Sequence, residues 1–230
     1  MNQDTIRIMR LLEFTDSTFP VGTFSFSNGL ETAAQEGIVY DARTLEQYTR
    51  SAAQQAAFSD GVAALLAWKS AERGDYESVL RADQQVILLK MNAESRQMVT
   101  RMGKKMAEMI VHVLDNPMMS RWLKDIQEER TPGTYPIAQA ITFSACGLSA
   151  ADLFCSHQYG VINMILSAAL RCVKVSHYDT QRILYKLSGY SQRDYEQAKV
   201  MGFDDMNAFA PQIDILASLH EKGKMRMFMN

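Results

Sequence analysis

The chain has 230 residues, 47% of them hydrophobic, which is enough to bury one substantial core. Its 24 basic and 26 acidic residues leave a formal charge of -2. Phosphate neutralisation supplies most nucleic-acid affinity, so a chain without a basic excess is a poor candidate for general nucleic-acid binding.

The cysteines are Cys146, Cys155 and Cys172, all in apolar stretches. An odd, sparse set makes no disulfide framework and suits a reducing compartment. The opening residues, Met1 to Thr5, are polar and lack the basic-then-apolar order of a secretory signal. The most apolar stretch, Val161 to Val173, contains Asn163, Ser167 and Arg171 and is too short to span a bilayer. Together these features predict a soluble, cytoplasmic protein.

Apolar residues recur at helical spacing between breaks at Pro20, Pro117, Pro132, Pro136 and Pro211. Ile6 to Leu12 predicts a short amphipathic helix, followed by a loop over Thr15 to Phe26. Asn28 to Gln35 predicts one or two turns. A long helix is expected over Asp41 to Trp68, with Thr44 and Gln47 as a capping box. Further helices follow over Tyr76 to Met91 and Ser95 to Leu114. Asn116-Pro117 and Thr131-Pro132-Gly133-Thr134 read as turns. Pro136 to Cys146 forms the next helix. Ser149 and Asp152 cap another that runs to about Val173, apolar nearly all round and therefore central. Three shorter helices are expected over Thr180 to Leu187, Arg193 to Met201 and Ile213 to His220. No alternating apolar pattern persists long enough for a strand. The prediction is an all-α, single-domain bundle of nine or ten helices, spanning 1–230.

The chemistry of common active sites is not apparent in the pattern. The histidines His112, His157, His177 and His220 form no i,i+4 pair, and Cys155 and His157, two apart on one helix, point away from each other. Gly22 and Gly29 are not spaced as a phosphate-binding loop. Ser25 and Ser27 lack the Gly-x-Ser-x-Gly elbow of a nucleophile. Methionine is abundant, with 15 copies. Most fit helix–helix gaps, but Met225, Met227 and Met229 form an apolar chain end that calls for a cover.

The most specific segment is Phe19-Pro20-Val21-Gly22-Thr23-Phe24-Ser25-Phe26-Ser27-Asn28-Gly29-Leu30-Glu31. Pro20 fixes one dihedral, Gly22 and Gly29 permit positive φ, and Ser25 or Ser27 can cap the following helix. Its aromatics favour a docking site. This segment resembles the urease accessory protein UreF family, whose Phe-Pro-x-Gly-x-aromatic-Ser-x-Ser-x-Gly-Leu-Glu pattern is complete here. Ala93-Glu94-Ser95-Arg96 before Met102-Gly103 is similar to the family's middle segment. Tyr135-Pro136 ahead of Gly147-Leu148 and the stretch Arg171 to Lys174 follow in order. Pro211 with Asp214-Ile215, His220-Glu221 and Arg226-x-Phe228 resemble its C-terminal signature. Two departures stand out: a short Val175 to Asp179 loop, and Lys224-Met225 where the family has Tyr-Ser.

The resemblance implies an all-helical, usually dimeric, non-enzymatic protein. It would join UreD (UreH in some organisms) and the GTPase UreG on apo-urease and govern GTP-dependent nickel delivery. Nickel would pass through the assembly rather than be held as a cofactor. Docking is then expected along an N-terminal segment, 1–31, at Phe19, Pro20, Gly22, Phe24, Ser25, Ser27, Gly29, Leu30 and Glu31. Lys174 is a further contact, or else a helix-end cation favoured by the dipole. The tail, 221–230, adds His220 just before it, then Glu221, Arg226 and Phe228, with Arg226 a recognition contact rather than an arginine finger. An apolar tail either enters a partner groove or packs on its own domain, and the composition favours the partner. Two other readings are a helical enzyme built around His157 and a stand-alone metal-binding chaperone using His112 or His220.

Overall fold

The structure, a computed structural model, describes residues 3–223 and 226–229; Lys224 and Met225, where the tail departs from the family pattern, lie outside them. Among the described residues every regular element is helical. The α-helices are α1 Gln3–Thr15, α2 Leu30–Gln35, α3 Ala42–Phe58, α4 Asp60–Glu72, α5 Tyr76–Leu88 and α6 Ala93–Val113. They continue as α7 Pro117–Gln127, α8 Tyr135–Ala145, α9 Ala150–Cys172, α10 His177–Ser188, α11 Ser191–Ala198 and α12 Pro211–His220. Short 3-10 turns cover Thr23–Ser25 and Phe203–Asp205.

The all-α expectation holds, with two helices more than the periodicity predicts. The single helix expected over Asp41 to Trp68 is divided at Ser59, whose backbone leaves the helical region at φ -114°, ψ -86°. The Ser59 hydroxyl donates to the Gln55 carbonyl at 2.7 Å, a back-bond that competes with the helical ladder and bends the axis. The second addition is α7. Asn116-Pro117 is a helix start rather than a turn: the Asn116 side chain accepts from the Met119 N–H at 2.8 Å, and proline takes the first helical position, where no N–H is needed. Met119, Trp122 and Ile126 then fall on one buried face.

Capping follows the sequence closely elsewhere. Ser149 and Asp152 form the expected box at α9. At α3 the box is Asp41 with Thr44, because the chain enters the helix one turn before the Thr44–Gln47 pair. The short 175–179 loop is itself a helix start: Ser176 and Asp179 cap α10 reciprocally.

Helix α9 organises the core. Its first half contributes Leu153 to a cluster with α4, α5, α6, α7 and α8, including the buried Trp122 and Phe143. Its second half contributes Ile162, Ile165, Leu166 and Ala169 to a second cluster with α2, α3, α10 and α12, which also contains Phe228. Each buried leucine, isoleucine or phenylalanine among these contributes roughly 1.5–3 kcal/mol when removed from water. At 23 residues α9 is long and apolar enough to cross a membrane, unlike the shorter stretch singled out in the sequence, but 61% of its most apolar window is buried within this fold.

The loop before α8 is tied down by Asp83, which is fully buried and accepts from the Thr131 and Thr134 hydroxyls and from the Gly133 and Thr134 N–H groups at 2.6–2.9 Å. Gly103 on α6 lies directly against this loop, and a Cβ there would collide with backbone atoms of Gly133, Thr134 and Tyr135. Of the three free cysteines, Cys146 is buried, Cys172 half-buried and Cys155 exposed.

Candidate docking site at the C-terminal tail

The glycine-rich segment before α2 is shaped by tight backbone approaches. Gly29 has φ 78°, and a Cβ at this position would sit 3.0 Å from the Tyr48 hydroxyl and 3.1 Å from the Ala217 nitrogen. A larger residue is therefore opposed by both conformation and space. Tyr48 donates to the Asn28 carbonyl at 2.6 Å, fixing the chain as it enters α2. Gly29, not a serine, stands at the helix N-cap, and the Ser27 hydroxyl accepts a long bond from the Glu31 N–H at 3.4 Å.

Glu31 then points into the protein, where α2, α6, α12 and the tail converge. His220 stands between two carboxylates: its Nε2 is 3.0 Å from Glu31 Oε2 and its Nδ1 is 2.8 Å from Glu94 Oε2. Each carboxylate oxygen can accept a ring N–H, so the imidazole bridges α2 and α6. Arg226 reaches Glu94 Oε1 at 2.7 Å. The tail backbone completes the set: the Met227 N–H donates to Glu31 Oε1 at 2.8 Å and the Phe228 N–H to Glu31 Oε2 at 3.1 Å. Burial pushes the Glu31 carboxyl up, but the bond from His220 and the N–H groups of Met227 and Phe228 outweigh it and hold it below the ordinary glutamate value. Glu221 accepts from the Ala93 N–H at 2.8 Å, placing negative charge at the start of α6.

The tail is thereby laid across its own N-terminal motif. Phe228 is 6% exposed, and the Arg171 guanidinium lies 4.1 Å from its ring centroid. The Met229 N–H donates to the Ser25 carbonyl at 2.7 Å. Phe228 is thus covered by its own domain, whereas Met227 and Met229 stay exposed.

The expected contact residues are placed unevenly in this fold. Ser27, Gly29, Leu30, Glu31, His220 and Phe228 are buried and spent on internal packing, so none presents a side chain to a partner in this conformation. Phe19 is half-buried, packed edge-on against Phe14, and Phe26 is buried, so Phe24 alone of the motif's aromatics is exposed. Ser25 is half-buried; Pro20, Gly22, Glu221, Arg226 and Lys174 are exposed, Lys174 just beyond the end of α9. Glu94 is the member of the cluster that sequence reasoning missed. Its signal was its place in a family-like segment that also holds the α6 start.

Two other features belong to the surroundings. A groove of about 760 Å³ runs between the end of α5 and α12, walled by the exposed apolar side chains Leu88, Met91, Phe209, Ile215 and Leu219. A smaller cavity of about 70 Å³ is bordered by Asp60, Met98, Met164 and His157. His157 Nδ1 is 2.9 Å from Gln139 Oε1, while its Nε2 is buried without a protein partner. Burial lowers the His157 pKa to about 4, so the ring is neutral near pH 7. Among the described residues no group of three or more His, Cys, Asp or Glu is placed to hold a metal, and His112 is bound to the Glu108 carbonyl at 2.7 Å.

The chain matches the UreF family model over residues 39–188. It is also 42% identical over 223 residues to proteins described as urease accessory protein UreF from Yersinia pestis (strain Pestoides F) and Yersinia pseudotuberculosis serotype I (strain IP32953). The protein of that description from Yersinia enterocolitica serotype O:8 shows the same identity, and in each comparison the match covers 97% of this chain and 98% of the relative. A family match over most of the chain and near end-to-end similarity agree with the helical fold, and the chain belongs to the UreF family of urease accessory proteins.

Proposed function

We propose that the chain is a non-enzymatic scaffold in urease maturation, bridging UreD (UreH) and the GTPase UreG on apo-urease and regulating GTP-dependent nickel delivery. On this reading it works in the cytoplasm as a homodimer, holds no cofactor of its own, and passes nickel through the assembled complex as cargo. Family membership supports the setting. The groove between α5 and α12 supports the mode of action: Leu88, Met91 and Phe209 are 68%, 69% and 88% exposed along one concavity. Contiguous exposed apolar surface marks a docking site in a folded protein. His220 supports this by fixing α12, one wall of that groove, to α2 and α6.

Co-elution of the purified chain with UreD, and then with UreG, tests the reading. Two variants accompany the full chain: a truncation after Lys222 and Phe209→Glu. Binding by the full chain that is lost in Phe209→Glu, with folding intact, supports scaffolding through the groove. Failure of the full chain to bind either protein overturns the reading and directs attention to the His157 cavity.

A further inference from the structure

Helix α6 carries a one-sided charge. Between Glu94 and Glu108 the sequence holds no acidic residue but contains Arg96, Arg101, Lys104 and Lys105. At about 100° per residue these four share one half of the helix surface. All four are exposed, whereas Met98, Met102, Met106 and Ile110 on the opposite side enter the core. Their internal contacts are slight: Arg96 donates to the Lys90 carbonyl at 2.9 Å, and Lys105 reaches Glu108 at 3.5 Å. Arg101 lies 3.6 Å from the Met229 sulfur, which makes the basic face continuous with the tail. Met227 and Met229 are 52% and 40% exposed there.

We propose that this face, from Arg96 to Lys105 and on to Met227 and Met229, binds an acidic protein surface with an apolar centre. The inference rests on the assembly role proposed above and names the chemistry of one partner. Charge complementarity selects an acidic occupant, since four cations on one helix face of a chain with net charge -2 are a local concentration. The methionines select a protein: they supply the apolar centre of an interface with a cationic rim, for which a phosphate backbone has no counterpart. Such a contact accelerates association and weakens with salt.

The test uses the full chain carrying Lys104→Glu and Lys105→Glu, both at exposed positions. Thermal melting checks that the fold is kept. Binding to purified UreD, UreG and apo-urease is measured at roughly 50 and 300 mM NaCl, with Arg43→Glu, at the start of α3, as the control. For one of these proteins the double variant binds about tenfold or more weakly at low salt, mainly through a slower association rate, and the difference shrinks at high salt. The control matches the unmodified chain. Equal binding by the double variant and the unmodified chain at both salts overturns the inference while leaving the assembly role standing. No binding by the unmodified chain overturns both. Charge-dependent binding to phosphatidylserine vesicles, with protein binding unchanged, reassigns the face to lipid and likewise overturns it.

Discussion

His220 Nε2 lies 3.0 Å from Glu31 Oε2, joining the last turn of α12 to the first turn of α2 across 189 positions of sequence. The contact makes the chain end part of the fold. Glu31 also accepts the Met227 and Phe228 N–H groups, so one carboxylate holds both the helix and the tail that follows it.

Replacing Glu31 with Gln removes the charge while keeping the shape. His220 and two tail N–H groups then face a weaker acceptor with one donor in the wrong place, and the fold loses about 1–3 kcal/mol. The tail loosens first, so cleavage by trypsin at Arg226 speeds up several-fold while denaturant unfolding shows the smaller global loss. Unchanged cleavage and unchanged stability together would contradict the role given to Glu31.

Phe228→Ala tests the apolar half of the same attachment. Phe228 is 6% exposed and sits beneath Arg171, so truncation removes buried area at the edge of the second core cluster. The loss is about 2–3 kcal/mol, at or below the low end of core phenylalanine truncations because the edge can relax. Hydrogen exchange at α12 and the tail rises while the α4–α8 region stays protected. Uniform loss of protection would place Phe228 in the global core instead.

Acid titrates two buried groups in different windows. His157 is held neutral with a pKa of about 4, against 6.5 in the unfolded chain. The unfolded state therefore binds the extra proton first, and stability falls as pH drops from about 6.5 toward 4, by about 3 kcal/mol at the lower end. Glu31, held below its ordinary value of 4.5, contributes stability above that pH, and this is lost as pH falls through its lower folded value. Denaturation curves between pH 7 and 4 should flatten in His157→Gln. A slope identical to that of the unmodified chain would show that the ring titrates normally.

Gly103→Ala puts a methyl group into the backbone of residues 133 to 135. Alanine gains about 1 kcal/mol of helix propensity, but the collision forces α6 away from the loop that Asp83 anchors, at a net cost of about 2 kcal/mol or more. A lowered melting temperature checks this, and an unchanged or raised one would show that the loop gives way freely.

Much of the fold is legible along the chain because its signals are local. Periodic apolar residues and the Ser149–Asp152 box placed α9, and the same logic placed α5, α6 and α8. The misses were local signals misread: Asn116-Pro117 starts a helix as readily as it makes a turn, and the break at Ser59 needs only one hydroxyl bond to the preceding turn.

The N-terminal motif behaves differently. The sequence by itself determined that residues 19–31 and the chain end are specialised, through their glycines, aromatics and methionines. Only the tertiary structure decided that the two are each other's partners. Glu31, Glu94, His220 and Arg226 are separated by 63, 126 and 6 positions, and no periodicity links them. What joins them is the convergence of α2, α6 and α12, where buried carboxylates need donors and the tail backbone supplies two that have no helix to satisfy them.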